Sequence, residues 1–231
     1  MRAVVLLLRS IALIAPALNV AANAADLPGR EPAPVVVPVV YSGEQSEFRV
    51  LQLAPAPPPN SVSIFGGQFT TGNMGQSLNP FGDTHENNSI VGMTYQRDFY
   101  RLPYGFILGG ELGGAGRFGE TSSGEFWGGA NIRHSGIILF NTVRIATGFT
   151  FGFSAITNPI GIEAERAIRC CVSRNPHFLG YLGPELAIAS PQMPNLELYY
   201  RLQHRSGAKG TFGHMGEGAN ANVVGVRHHF E

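Results

Sequence analysis

From residue 61 onward, hydrophobic and polar positions alternate with a period of two, the spacing that sends successive side chains of an extended chain to opposite faces. In 137–153 the odd side runs from Ile137 and Leu139 to Phe149, Phe151 and Phe153, while the even side, including Arg144, Ala146, Gly148 and Gly152, carries the charge and most of the small residues. The stretch 195–206 sets Leu196, Leu198, Tyr200, Leu202, His204 and Ser206 against Glu197, Tyr199, Arg201, Gln203 and Arg205. A weaker alternation recurs in 105–114, 125–134, 178–188 and 220–230. The pattern predicts eight strands, at 61–70, 88–99, 104–117, 123–134, 136–153, 176–190, 195–206 and 219–230.

One face of these strands carries Glu111, Arg133, Arg144, Glu185, Arg201 and Arg227, about one charge per strand. Charges at that density suit the polar interior of a small barrel, where opposite signs pair while the other face meets lipid. Alternation alone fits a soluble, lipocalin-like cup equally well, with the faces reversed. Connection lengths favour the first arrangement. Short links at Tyr100–Pro103, around Ser135 and at Pro191–Pro194 interleave with longer ones at 71–87, 118–122, 154–175 and 207–218. Short turns on one side and long loops on the other are the mark of outer-membrane barrels, whose termini lie on the periplasmic, short-turn side. Phe230, one residue from the end, suits the last strand of such a barrel. The expected fold is all-β, an eight-stranded antiparallel outer-membrane β-barrel.

The N-terminal part reads differently. Residues 1–24 combine Arg2, a short apolar stretch and the small-residue pattern Ala22-Asn23-Ala24, and are expected to be a secretory signal peptide. Residues 25–60 contain EPAPVVVPVV and APAPPPN, prolines spaced closely enough to favour an extended periplasmic spacer. Val50, Leu51 and Leu53 within it offer a short additional strand. The barrel domain is then 61–231. A formal net charge of zero gives no electrostatic ground for nucleic-acid binding. Past the signal, no run of about 18 apolar residues offers a membrane-spanning helix. Cys170 and Cys171 are adjacent in the longest loop, where an oxidising compartment permits a vicinal disulfide or a bond between molecules. His228 and His229 point to opposite faces of a strand and cannot hold one metal ion. No metal or cofactor is expected.

His204 and Ser206 share a face near the outer end of the seventh predicted strand, close enough for an imidazole nitrogen to reach a hydroxyl. A serine becomes a useful nucleophile when a base takes its proton, so the two are candidate members of a hydrolytic set. The antiparallel neighbour strand offers Asn220 and Asn222 on the same side as a third, orienting group.

The segment H-x-S-G at 204–207, a loop, and G-x-N at 218–220 ahead of an alternating strand ending in Phe230 resembles the lipid A 3-O-deacylase (PagL-like) family of outer-membrane barrels. The resemblance is specific over about 201–230. It implies a serine esterase that removes an ester-linked acyl chain from lipid A, with His204 as base, Ser206 as nucleophile and Asn220 in the place of the family's acid. Gly207 stands at the position of the Asn thought to help hold the oxyanion. Glu217, three residues before Asn220, is an alternative third member. The implied partners are lipid A or lipopolysaccharide and outer-membrane lipid. Apart from the resemblance, Arg166, Arg169 and Arg174 of the longest loop are expected on a solvated loop helix, with contact to lipopolysaccharide phosphates as the alternative. The alternative reading is a non-catalytic barrel that binds or stabilises lipopolysaccharide.

Overall fold

The computed structural model describes residues 51–168 and 174–231. The charged face turns inward, and the strands close on themselves around it. The strands are β1 (Gln52–Leu53), β2 (Asn60–Thr70), β3 (His85–Arg101), β4 (Phe106–Phe118), β5 (Ser122–His134), β6 (Ile137–Leu139), β7 (Val143–Ile156), β8 (Phe178–Ala189), β9 (Leu196–Ser206) and β10 (Glu217–Phe230). Two short helices lie in connections, α1 (Met74–Ser77) and α2 (Ile162–Ile168). The eight long strands pair antiparallel in the order β2-β3-β4-β5-β7-β8-β9-β10, and β10 returns to β2 from Phe230↔Asn60 to Asn220↔Thr70. No sheet edge is left open in that ring, so every long strand has both sides of its backbone paired.

The outer wall is apolar and exposed, with Ile64, Met93, Leu112, Phe126, Phe151 and Leu198 among its side chains. The bore is filled by side chains that are almost wholly buried, including Trp127, Arg117, Arg201, Arg205 and Arg227. Arg201 holds Glu111 through both guanidinium nitrogens at 2.7 Å and Glu185 at 2.7 Å. Arg227 bonds Glu185 at 2.6 Å and Glu197 at 3.1 Å, and Arg144 pairs with Glu197. The Trp127 indole N–H donates to Glu111 at 2.9 Å, and its ring stacks on Tyr181. This polarity, charges inside and hydrocarbon outside, is the inverse of a soluble barrel. It makes the chain an eight-stranded outer-membrane β-barrel. No helix among the described residues is long and apolar enough to cross a membrane.

Close packing in the bore dictates glycines. A Cβ on Gly113 would lie 2.1 Å from the Trp127 indole. Gly113→Ala is therefore expected to push the indole off its stack and destabilise the barrel by about 1–3 kcal/mol. The midpoint of urea unfolding in detergent micelles measures it.

Three differences from the sequence reading have physical causes. The expected strand 136–153 is two strands, because Phe140 (φ 54°) and Asn141 (φ 53°) both take the left-handed conformation and turn β6 back on β7. Two successive positive φ values make the tight turn whose twist matches a hairpin, and Asn tolerates that region better than most residues. The connection after β4 is only 119–121, shorter than expected, because β4 and β5 pair to their ends at Phe118↔Ser122. Residues 51–59, expected as the end of the spacer, pack on the barrel. β1 pairs with β6, the Ala54 N–H donates to Gly136 O at 2.9 Å, and the Asp98 N–H donates to Pro59 O at 2.8 Å. Since β6 adjoins β7 and β7 lies opposite β2 in the ring, this proline-rich strap crosses the periplasmic mouth. The signal segment, the rest of the spacer with Val50, and Arg169, Cys170 and Cys171 lie outside the described residues.

The other mouth is stoppered by α2. Glu163 is fully buried, bonded to Arg117 at 2.8 Å and paired with Arg205, both of which point into the bore.

Candidate active site on the outer wall

Register places the candidate residues before any side chain is considered. Asn220 pairs with Thr70 of β2 on one side and with His204 of β9 on the other, and His204 pairs with Leu182 of β8. All four lie in one transverse row of the outward face, near the extracellular ends of their strands.

Within that row His204 and Asn220 are bonded, Nδ1 to Oδ1, at 2.5 Å. The Asn220 amide nitrogen donates to Gly72 O at 2.9 Å. A carbonyl only accepts, so the NH₂ end of Asn220 must face Gly72 and its oxygen must face His204. The imidazole therefore carries its proton on Nδ1, and Nε2 is left as the basic nitrogen.

Ser206 lies two residues on from His204, on the same face and half-buried. Its Oγ accepts from the Ala208 N–H at 3.1 Å, and among the described residues no hydrogen bond joins it to His204. The hydroxyl would have to rotate about χ1 to engage the imidazole. Glu217 makes no hydrogen bond to His204 among the described residues. Its Oε1 accepts from the Met74 N–H at 3.1 Å, and Oε2 lies 3.8 Å from Arg166. Of the two candidates for third member, Asn220 is the one in contact.

Gly207 does not present a free donor. Its N–H donates to Gly216 O at 3.0 Å, closing the turn-rich loop 207–216, and a Cβ there would lie 1.9 Å from Met215 O. The oxyanion role expected of this position is thus unavailable as the loop is folded, and an Asn side chain does not fit.

The site is covered. His204 and Leu202 point outward, yet His204 is only 3% exposed and Leu202 not at all. The segment 71–84 folds back over the β2–β10–β9 wall. A capping box in which Asn73 and Gln76 satisfy each other's backbone N–H starts α1, and the Tyr200 hydroxyl reaches Ser77 O at 3.4 Å. Ser77 bonds Thr70 at 2.7 Å and donates to Asp83 at 2.6 Å. Burial of Asp83 favours its neutral form, but the Ser77 hydroxyl, the Thr84 N–H and further donors outweigh it and hold the carboxyl below its ordinary value. A carboxyl lowered in this way stabilises the fold at neutral pH, and the contribution is lost as pH falls through the lowered value. On the β8 side, Phe212 of loop 207–216 lies over Gly180, the partner of Ser206, and packs edge-on against Phe153. Leu78 and Phe81 remain exposed on segment 71–84.

The cover was not foreseen, though the sequence held a signal for it. Thr70, Asn220 and Asn222 are polar at positions whose strand parity assigns them to lipid, which asks for something to lie over them. Among the described residues no group of three His, Cys, Asp or Glu side chains is placed to hold a metal ion.

No protein-family model matches the chain, and no curated protein sequence does. Solved structures with a similar course include the outer membrane enzyme PagL, at 10% identity and a TM-score of 0.47, covering 74% of this chain and 99% of that one. Neisserial surface protein A is similar at 11% identity and a TM-score of 0.44, covering 74% of this chain and 97% of its own. The N-terminal barrel domain of Pseudomonas aeruginosa OprF is similar at 12% identity and a TM-score of 0.41, covering 76% of this chain and all of its own. Likeness at this level assigns the chain no activity.

Proposed function

We propose that the barrel is an outer-membrane serine esterase that removes an ester-linked acyl chain from lipid A. The observation that carries this reading is the His204–Asn220 pair, with the imidazole held in one tautomer beside a serine on the same face. In the reaction, Ser206 turns from Ala208 toward His204, and Nε2 takes its proton as Oγ attacks the ester carbonyl. The C–O bond to the sugar breaks, the imidazolium returns its proton to the departing alkoxide, and water then releases the fatty acid from Ser206 by the same steps. Asn220 keeps the ring oriented but supplies no negative charge to the imidazolium, which predicts a slow enzyme. Segment 71–84 must move for an acyl ester to reach Nε2, and its exposed Leu78 and Phe81 give it an apolar edge toward the outer leaflet.

The second reading, a non-catalytic barrel in contact with lipopolysaccharide, is favoured by the cover over His204 and by the Ser206–Ala208 bond. Mass spectrometry of lipid A from cells with and without the protein decides between them. The esterase reading expects a species lighter by one hydroxyacyl or acyl group only where the protein is present. Identical lipid A in both, with the barrel demonstrably in the membrane, supports the second reading.

A further inference from the structure

The Asn220 amide is oriented by a backbone carbonyl, and something must in turn hold that carbonyl. Gly72 lies just beyond the end of β2, in the segment that covers the wall, where backbone is ordinarily free to shift. Here it is gripped from the extracellular mouth. Arg166 of α2 donates through Nη2 to Thr71 O and Gly72 O, each at 3.0 Å, and through Nη1 to Gly218 O at 2.8 Å. Gly218 sits in the irregularity between Glu217 and Asn220 where β10 begins. One guanidinium thus ties together the chain on both sides of Asn220, the end of β2 and the start of β10. The Glu217 carboxylate 3.8 Å away adds a partner for its charge.

Arg166 is itself fixed. One turn earlier on α2, Glu163 is buried between Arg117 and Arg205 in the bore, and the Ile162 N–H donates to Glu86. Position is therefore passed from the ion pairs of the bore to α2, from Arg166 to Gly72 O, and from there to Asn220 and His204.

We infer that Arg166 is a positioning residue for His204, acting through the Gly72 carbonyl and the Asn220 amide; its catalytic consequence rests on the esterase reading above. Gly72 O has two lone pairs, one taken by Asn220 and one by Arg166. Without the guanidinium the carbonyl is free to swing away, and the Asn220 amide loses the acceptor that fixes its direction. A flipped amide presents NH₂ to the imidazole, which then accepts at Nδ1 and carries its proton on Nε2. In that tautomer the nitrogen that should take the Ser206 proton is already occupied. Lysine offers a positive charge but no planar fork to span three carbonyls, so it replaces the function only in part.

The test uses the whole barrel, labelled with ¹⁵N-histidine and held in detergent micelles, with His204 assigned by the signal lost in His204→Gln. Wild type is expected to show the Nδ1–H tautomer. Arg166→Ala is expected to shift His204 to a mixture or to Nε2–H while the barrel keeps its heat-modifiable gel mobility, and Arg166→Lys to lie between. In the hydrolysis assay, Arg166→Ala is expected to lower kcat about tenfold or more with KM little changed. A wild-type tautomer in folded Arg166→Ala overturns the inference, whatever the activity does. A shifted tautomer with no acyl release from wild type upholds the positioning and removes the esterase reading instead. Should Arg166→Ala not assemble, Arg166→Gln, which keeps most of the side chain and one donor group, carries the same expectation and the same overturning result.

Discussion

Arg201→Met should weaken the barrel by about 3–5 kcal/mol. Arg201 is 1% exposed and is the cation shared by Glu111 and Glu185. Removing it leaves two buried carboxylates, with, among the described residues, the neutral donors Trp127, Gln96 and Thr150 for Glu111 and Arg227 for Glu185. Methionine fills much of the volume, so the loss is electrostatic rather than a cavity effect. The double variant Arg201→Met with Glu111→Gln removes one stranded charge and should recover part of the loss, a non-additivity that an independent packing defect would not show. Urea unfolding midpoints in micelles give both numbers. An unchanged midpoint for Arg201→Met would mean that the bore admits enough water to solvate the freed carboxylates.

The second large effect concerns activity. Ser206→Ala and His204→Ala should each reduce acyl release by on the order of 10⁴-fold or more, because nucleophile and base act as a unit and either loss removes the whole advantage. Both barrels should fold as wild type, since neither residue joins the ion pairs of the bore. Asn220→Glu would place a carboxylate beside the imidazolium but set its second oxygen against Gly72 O, which only accepts, so it should not raise the rate in this fold. Glu217→Gln should change the rate less than either alanine variant, because Glu217 is bonded to the Met74 N–H and lies beside Arg166. Release of labelled fatty acid from purified lipid A is the assay. Equal rates in wild type and Ser206→Ala would remove Ser206 as nucleophile. Gly207→Asn is not a route to a better enzyme, since its Cβ has no room beside Met215 O.

The strands and their inward face were legible because parity is a strict constraint. Arg201, Arg227 and Glu185 fall on one side whatever the exact strand ends, and a charged face needs partners that only a closed bore supplies in quantity. The hairpin at Phe140–Asn141 was hidden because parity survives it: Ile138 and Arg144 both face inward across a turn that carries no glycine. The pairing of His204 with Asn220 was legible from antiparallel register alone. What hid the rest of the site is that loops fold by contacts no periodicity records. The cover by 71–84 depends on Arg166, 94 residues along the chain from Gly72. The state of Gly207 depends on the far end of its own loop, at Met215 and Gly216.

The proline-rich strap lies at one mouth and the Glu163 stopper at the other. Between them, arginines and Trp127 pack into the bore, so that among the described residues the barrel interior is filled by side chains. On the esterase reading, the chemistry takes place on the wall, on molecules that diffuse in the plane of the outer leaflet.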